Sequence, residues 1–155
     1  MTSSEKIAFK NKLKNLGLDL LRQRMVTAQD AMDQAQEAAN SEEKSSAGDK
    51  YETGRAMGQL QKEMHGRQLA EYAKEVKALQ SIAIDLYCNK GGPGAFVQMA
   101  GIAFFVSAGL GRQEVDGKTI LFVSPMAPLA RALQEKQAGE SILFNGVGMA
   151  IENIY

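Results

Sequence analysis

The chain has 155 residues, of which 45% are hydrophobic and 23% charged. That is room for one ordinary domain or two small ones, with enough apolar material to exclude a disordered tail. Eighteen Lys and Arg balance eighteen Asp and Glu, so no net field draws the protein to a nucleic-acid backbone or an anionic membrane. A single cysteine, Cys88, and a single histidine, His65, exclude a disulfide framework and a Cys-based zinc cage.

The first ten residues are polar and lack the apolar core of a secretory signal. Residues 5–86 then run without proline and are rich in Ala, Leu, Met, Gln, Glu and Lys. Leu18, Leu21, Met25, Ala28, Met32, Ala35 and Ala39 step by three and four, the seam of a coiled-coil helix. Leu69, Tyr72, Val76, Leu79, Ala83 and Leu86 step the same way, and Met57, Leu60 and Met64 precede them with a slip of one residue. Between the two series, Asn40–Asp49 is polar and holds Gly48, which predicts the turn of an antiparallel helical hairpin. Gly54, Gly58 and Gly66 each cost roughly 1 kcal/mol relative to Ala in the second arm.

Near residue 88 the pattern changes. Residues 95–99, 102–106, 119–123, 141–144 and 149–155 are short β-prone runs divided by glycine or charged turns. Val115-Asp-Gly117 and Asn145-Gly146 are hairpin signals. Pro128–Lys136 reads as a short helix with Pro128 in its first turn and Gly139 beyond its end. Residues 91–111 carry no charge, but their glycines break a helix, so short strands account for them better than a membrane span. The expected fold class is α+β: a coiled-coil hairpin over 1–88, with an acidic tip near 41–52, followed by a small antiparallel β domain over 89–155 with one short helix covering a face. A soluble, cytoplasmic protein is expected.

Three groupings invite a chemical reading. Cys88 and His65 lie some 23 positions apart along the second arm, about 35 Å of helix at 1.5 Å per residue, so they cannot act as nucleophile and base. Cys88 reads as a small apolar residue at a domain junction, and His65 as an ordinary surface residue. Gly91-Gly-Pro-Gly94 lacks the strand and the Lys-Ser/Thr of a phosphate loop and reads as a hinge. Asp49 and Glu52, three residues apart where the second arm begins, suit a helix-capping box. They also suit a pair of carboxylates shown to a cation. Magnesium takes about six oxygens, so such a pair would bind usefully only within a site completed by another molecule.

The hairpin, the tip Gly48-Asp49-Lys50-Tyr51-Glu52 and the β-rich second half resemble the bacterial GreA/GreB transcript cleavage factors, whose tip reads Gly-Asp-x-x-Glu-Asn. Ala127-Pro-Leu-Ala-Arg-Ala-Leu133, Ala138-Gly-Glu140 and Ile151-Glu-Asn-Ile-Tyr155 follow that family's Ser-Pro-Leu-Gly-x-Ala-Leu, Gly-Asp and Ile-x-x-Ile-x-Tyr in order. The resemblance runs from about residue 15 to the end of the sequence. It implies an FKBP-like C-terminal domain without isomerase activity that docks at the rim of the RNA polymerase secondary channel. It also implies a tip whose carboxylates, Asp49 and Glu52, help hold a second magnesium ion while the polymerase hydrolyses backtracked RNA. The resemblance implies further that the magnesium is shared with the polymerase and not held tightly by the free protein, which would make the chain a catalytic accessory and not itself an enzyme. It is expected as a monomer that binds neither duplex DNA nor membrane, with Lys50 and Arg55 as candidate contacts to RNA or polymerase. Thr53 stands where the family has Asn, and Ala127 and Ala130 replace its Ser and Gly. Two other readings follow: a polymerase-binding regulator or inhibitor of the same fold that does not stimulate cleavage, and a coiled-coil adaptor or chaperone-like module.

Overall fold

A computed structural model describes residues 1–45, 49–85 and 88–155, with the side chains of residues 42–51 outside the description. It is α+β and divides into two compact units: Met1–Leu18 with Ala78–Tyr155, and Asp19–Lys77. Helix α1 spans Ser3–Ser45 and helix α2 spans Asp49–Ser81, so both helices contribute to both units.

In the first unit, α1 opens on a reciprocal cap. The Thr2 hydroxyl accepts from the Glu5 amide at 3.1 Å, and the Glu5 carboxylate accepts from the Thr2 amide at 2.6 Å. That second bond chiefly holds the Glu5 carboxyl below its ordinary range. The pattern is a Thr-x-x-Glu capping box.

The sheet has six strands: β1 (Phe96–Met99), β2 (Ile102–Val106), β3 (Gly111–Val115), β4 (Lys118–Val123), β5 (Ser141–Phe144) and β6 (Val147–Ile154), in the order β3-β4-β2-β1-β6-β5. Helix α3 (Pro128–Leu133) joins β4 to β5. The two tight turns lie where Asp-Gly and Asn-Gly stand: Asp116, Gly117, Asn145 and Gly146 all have φ between 50° and 79°, the conformation a two-residue hairpin requires. The uncharged run 91–111 contains β1, a turn and β2, and among the described residues no helix is long and apolar enough to cross a membrane.

Two expectations about the sheet are corrected. It holds six strands, because Gly111–Val115 pairs along β4. That segment, Gly-Arg-Gln-Glu-Val, buries only Val115, so as a polar edge strand it leaves no alternating apolar signal. The sheet is also mixed: β2 and β4 run parallel, with Ala103 opposite Ile120 and Val106 opposite Val123. The chain leaves β2, forms the outer strand β3 first, and turns back to insert β4 beside β2.

Both faces of the central strands are buried. Val97, Met99, Phe104, Val106, Ile151 and Ile154 pack with Leu129, Ala130 and Leu133 of α3. The opposite face carries Phe105 and Phe122, whose rings meet edge to face at 5.5 Å. The start of α1 covers this second face. Phe9 packs edge to face on Phe96 at 5.5 Å, Leu13 is fully buried, and Lys12 pairs with Asp116 at 2.5 Å. At Gly17 a Cβ would stand 3.0 Å from Leu79, 3.4 Å from Leu110 and 3.6 Å from Phe122, so the absent side chain lets the helix lie close on the sheet. Lys14 Nζ donates to the carbonyls of Gln80 and Ile82 at 3.1 and 2.8 Å, satisfying carbonyls at the end of α2. The expected division near residue 88 therefore does not coincide with these units. Phe9, Leu13, Leu18, Leu79 and Ile84 are buried within the unit that contains the sheet.

Gly91–Gly94, expected as a hinge, is pinned by hydrogen bonds. Gly91 N–H donates to Lys136 O at 2.8 Å, Gly91 O accepts from Glu135 N–H at 3.0 Å, and Gly94 N–H donates to Val106 O at 2.7 Å. A Cβ on Gly91 would sit 1.9 Å from Leu133 O, whereas one on Gly92 meets nothing within 4 Å. Gly91→Ala is expected to lower stability by at least about 2 kcal/mol in denaturant unfolding, with Gly92→Ala changing it by less than about 0.5 kcal/mol.

Candidate functional site

In the second unit α1 and α2 pair antiparallel. Gly66 lies over Met32, Lys62 Nζ donates to Gln36 Oε1 at 3.0 Å, and Gly58 faces Ala39, so partner numbers fall in one helix as they rise in the other. The arm from residue 19 to 45 spans about 40 Å at 1.5 Å per residue. On α1 the seam is the one its spacing predicts: Leu21, Ala28 and Ala35 are buried, and Met25, Met32 and Ala39 half-buried. On α2, Leu69, Tyr72 and Val76 are half-buried.

Towards the start of α2 the seam departs from the apolar pattern. Met57, Leu60 and Met64 are 58%, 67% and 58% exposed, whereas Gly54, Gly58 and His65 are half-buried. Extending the phase of Leu69 and Tyr72 backward gives those positions. The methionines and Leu60 form a separate stripe on the solvent side. Gly58 has a steric reason, since a Cβ there would stand 3.0 Å from the Ala39 Cβ.

His65 is not the surface residue expected. It is half-buried, and its Nδ1 is buried with no hydrogen-bond partner among the described residues. It lines a groove of 340 Å³ together with Arg24, Thr27, Gln68 and Tyr72. Farther along α2, the Glu75 carboxyl is pushed up, first by burial, with Arg24 opposing and Glu71 adding.

The acidic tip lies where the second arm begins. Asp49 is the first residue of α2, and Glu52 stands three residues on, within the first turn, with its side chain exposed. Positions i and i+3 share a helix face. The side chains of Asp49 and Lys50, and with them the expected capping box, lie outside the described residues. Arg55 is exposed at the rim of a polar groove of 190 Å³ shared with Gln36, Asn40, Gln59 and Lys62. Among the described residues no three His, Cys, Asp or Glu side chains gather as a metal site.

The sheet-containing unit offers a different surface, unread in the sequence. Ile102, Phe104, Leu121, Phe144 and Met149 line an apolar cleft of 560 Å³ beside α3, with Arg112 and Thr119 as polar groups at its margin. Alternation along β2 and β4 marks their inward faces but does not tell a filled core from an open cleft.

No family model, curated protein or solved structure matches the chain.

The close approach at Gly58 has a measurable consequence. Gly58→Leu is expected to destabilise the hairpin by about 1–3 kcal/mol through overpacking against Ala39. Leu60→Gln, two residues away on the exposed stripe, should shift stability by less than about 0.5 kcal/mol. Thermal unfolding followed by circular dichroism separates the two.

Proposed function

We propose that the protein is a cytoplasmic transcription elongation factor of the GreA/GreB type, which binds RNA polymerase at its secondary channel and stimulates hydrolysis of backtracked RNA. The observation that carries this reading is the placement of Asp49 and Glu52 in the first turn of α2, where an antiparallel helical hairpin begins its second arm. The α+β unit that includes the C-terminal half of the chain supports it, as do the three motifs shared in order with that family.

On this reading the sheet-containing unit is an FKBP-like domain that docks on the polymerase. The Asp49 and Glu52 carboxylates would help hold a magnesium ion shared with the polymerase, and that ion would supply the charge that makes a bound water a nucleophile. This chain's own part is to bring negative charge to that point and to hold it there. Lys50, between the two acidic residues in sequence, and Arg55, three residues beyond Glu52, suit contact with RNA phosphate or polymerase. Thr53, Gly54 and Arg55, which replace the residues expected after the Glu, favour a second reading: a factor that occupies the channel without stimulating cleavage.

A stalled, backtracked elongation complex with magnesium decides between these. The first reading expects faster release of short 3′ RNA fragments, lost in Asp49→Asn/Glu52→Gln while polymerase binding persists. Fragment release unchanged in the double variant would overturn the assigned roles. No release, combined with competition against an authentic cleavage factor, selects the second reading. Failure to bind polymerase at all removes both and leaves a coiled-coil adaptor.

A further inference from the structure

The sheet-containing unit leaves part of one face open. Helix α3 has six residues, about 9 Å of helix at 1.5 Å per residue, and buries Leu129, Ala130 and Leu133 against the central strands. Beside it lies the cleft of 560 Å³. Phe104, Val123 and Leu129 line this cleft and are buried, Leu121, Phe144 and Met149 are half-buried, and Ile102 is exposed. Ligand pockets run about 300–1,000 Å³, with a mostly apolar lining and a few polar groups that fix orientation.

The polar groups of this lining are few, and their roles differ. Arg112 stands opposite Leu121, and Leu121 is beside Phe104, so strand register puts the guanidinium on the same face as the apolar wall. Arg112 is the one charged group of the lining, and its side chain has no hydrogen bond or ion pair among the described residues. Thr119 donates its hydroxyl proton to the Glu114 carboxylate, so it accepts a further hydrogen bond but does not donate one. Glu114 shares a strand face with Arg112, yet it is engaged with Thr119 and not with the guanidinium.

An apolar cleft with one unpaired cation at its margin is complementary to an apolar chain that carries one negative charge. A guanidinium offers two parallel N–H donors, which match the two oxygens of a carboxylate. A phosphate monoester carries about −1.5 to −2 charges and would call for a second cation or donor that the lining side chains lack. We propose that this cleft binds a medium-chain aliphatic carboxylate of the fatty-acid class. Its chain lies against Phe104, Leu121, Phe144 and Met149, and its carboxylate pairs with Arg112. The chain covers apolar surface that the short α3 leaves to solvent, which supplies the affinity. The guanidinium keeps the charged end of the ligand at the margin, where it stays hydrated. The assignment rests on the sheet-containing unit alone and holds whether or not the tip serves a polymerase.

The test is calorimetric titration of the intact chain at pH 7 with octanoate and decanoate below their micelle-forming concentrations, with 1-octanol as the uncharged counterpart. Methyl chemical shifts of Ile102, Leu121 and Met149 locate the ligand. The expected result is saturable binding that shifts those methyls and tightens about fourfold for each added methylene. Arg112→Gln changes an exposed position and should weaken octanoate about fivefold or more while leaving 1-octanol unchanged. The proposal is overturned if decanoate shows no saturable binding, or if Arg112→Gln leaves octanoate affinity unchanged. Shifts confined to the hairpin groove at Met25 and Leu69 overturn it as well. So does a peptide with an apolar last residue and a terminal carboxylate that binds where decanoate does not.

Discussion

A six-stranded sheet whose central strands are apolar on both sides needs two covers, and α3 supplies only one. With six residues, α3 buries Leu129, Ala130 and Leu133 against one face and cannot reach the other. Phe105, Ile120 and Phe122 on that second face would meet water without the first turns of α1. Their burial is the interaction on which the rest of the sheet-containing unit depends. It explains why the start of a long helix has Phe9, Leu13 and Gly17 in a row of close contacts. It also explains why Lys12 and Lys118 sit where they do, the first paired with Asp116 and the second over the Phe9 ring at 5.7 Å. Burying one phenylalanine side chain stabilises by about 1.5–3 kcal/mol, so the three positions together outweigh any single surface ion pair.

The same constraint accounts for the mismatch between sequence-based and structural divisions of the chain. Periodicity separates a helical stretch from a β-rich one and places the change near residue 88. It does not say that the helical stretch lends its two ends to the sheet. Phe9 and Leu13, like Lys10 between them, lie outside the strict seam that begins at Leu18. Only the neighbouring sheet makes those positions interior.

Elsewhere the sequence is legible in proportion to how far one local force decides the outcome. The α1 seam, the Asp-Gly and Asn-Gly turns and α3 with Pro128 at its start all follow from spacing or backbone preference alone. Strand β3 does not, because its residues are polar and its place comes from the ladder with β4. The stripe of Met57, Leu60 and Met64 is a sharper case. Hydrophobicity pulls the phase of α2 one way, and the packing distance between the helices pulls it the other. Gly58 permits a close approach to Ala39 that a methionine there would not, and the closer packing prevails. The Gly91–Gly94 segment also misleads by composition. Its glycines serve tight backbone pairing, shown by the carbonyl of Leu133 where a Cβ on Gly91 would stand.

Asp49 and Glu52 combine both sides of this lesson. Helix α2 runs from Asp49, and acidic residues suit a helix start because its N-terminus favours nearby negative charge by about 0.3–1 kcal/mol. The same field opposes a cation. A divalent ion held by two carboxylates at that point gains two ligands, retains most of its water and meets the positive end of the helix dipole. A third or fourth anionic ligand brought by another molecule changes the balance, since each added oxygen replaces a water and offsets the dipole. On the proposed reading, an acidic helix start of this kind shares its cation with a partner. On that reading the chemistry of the tip belongs to a complex, and this chain contributes the antiparallel hairpin whose second arm has Asp49 and Glu52 in its first turn.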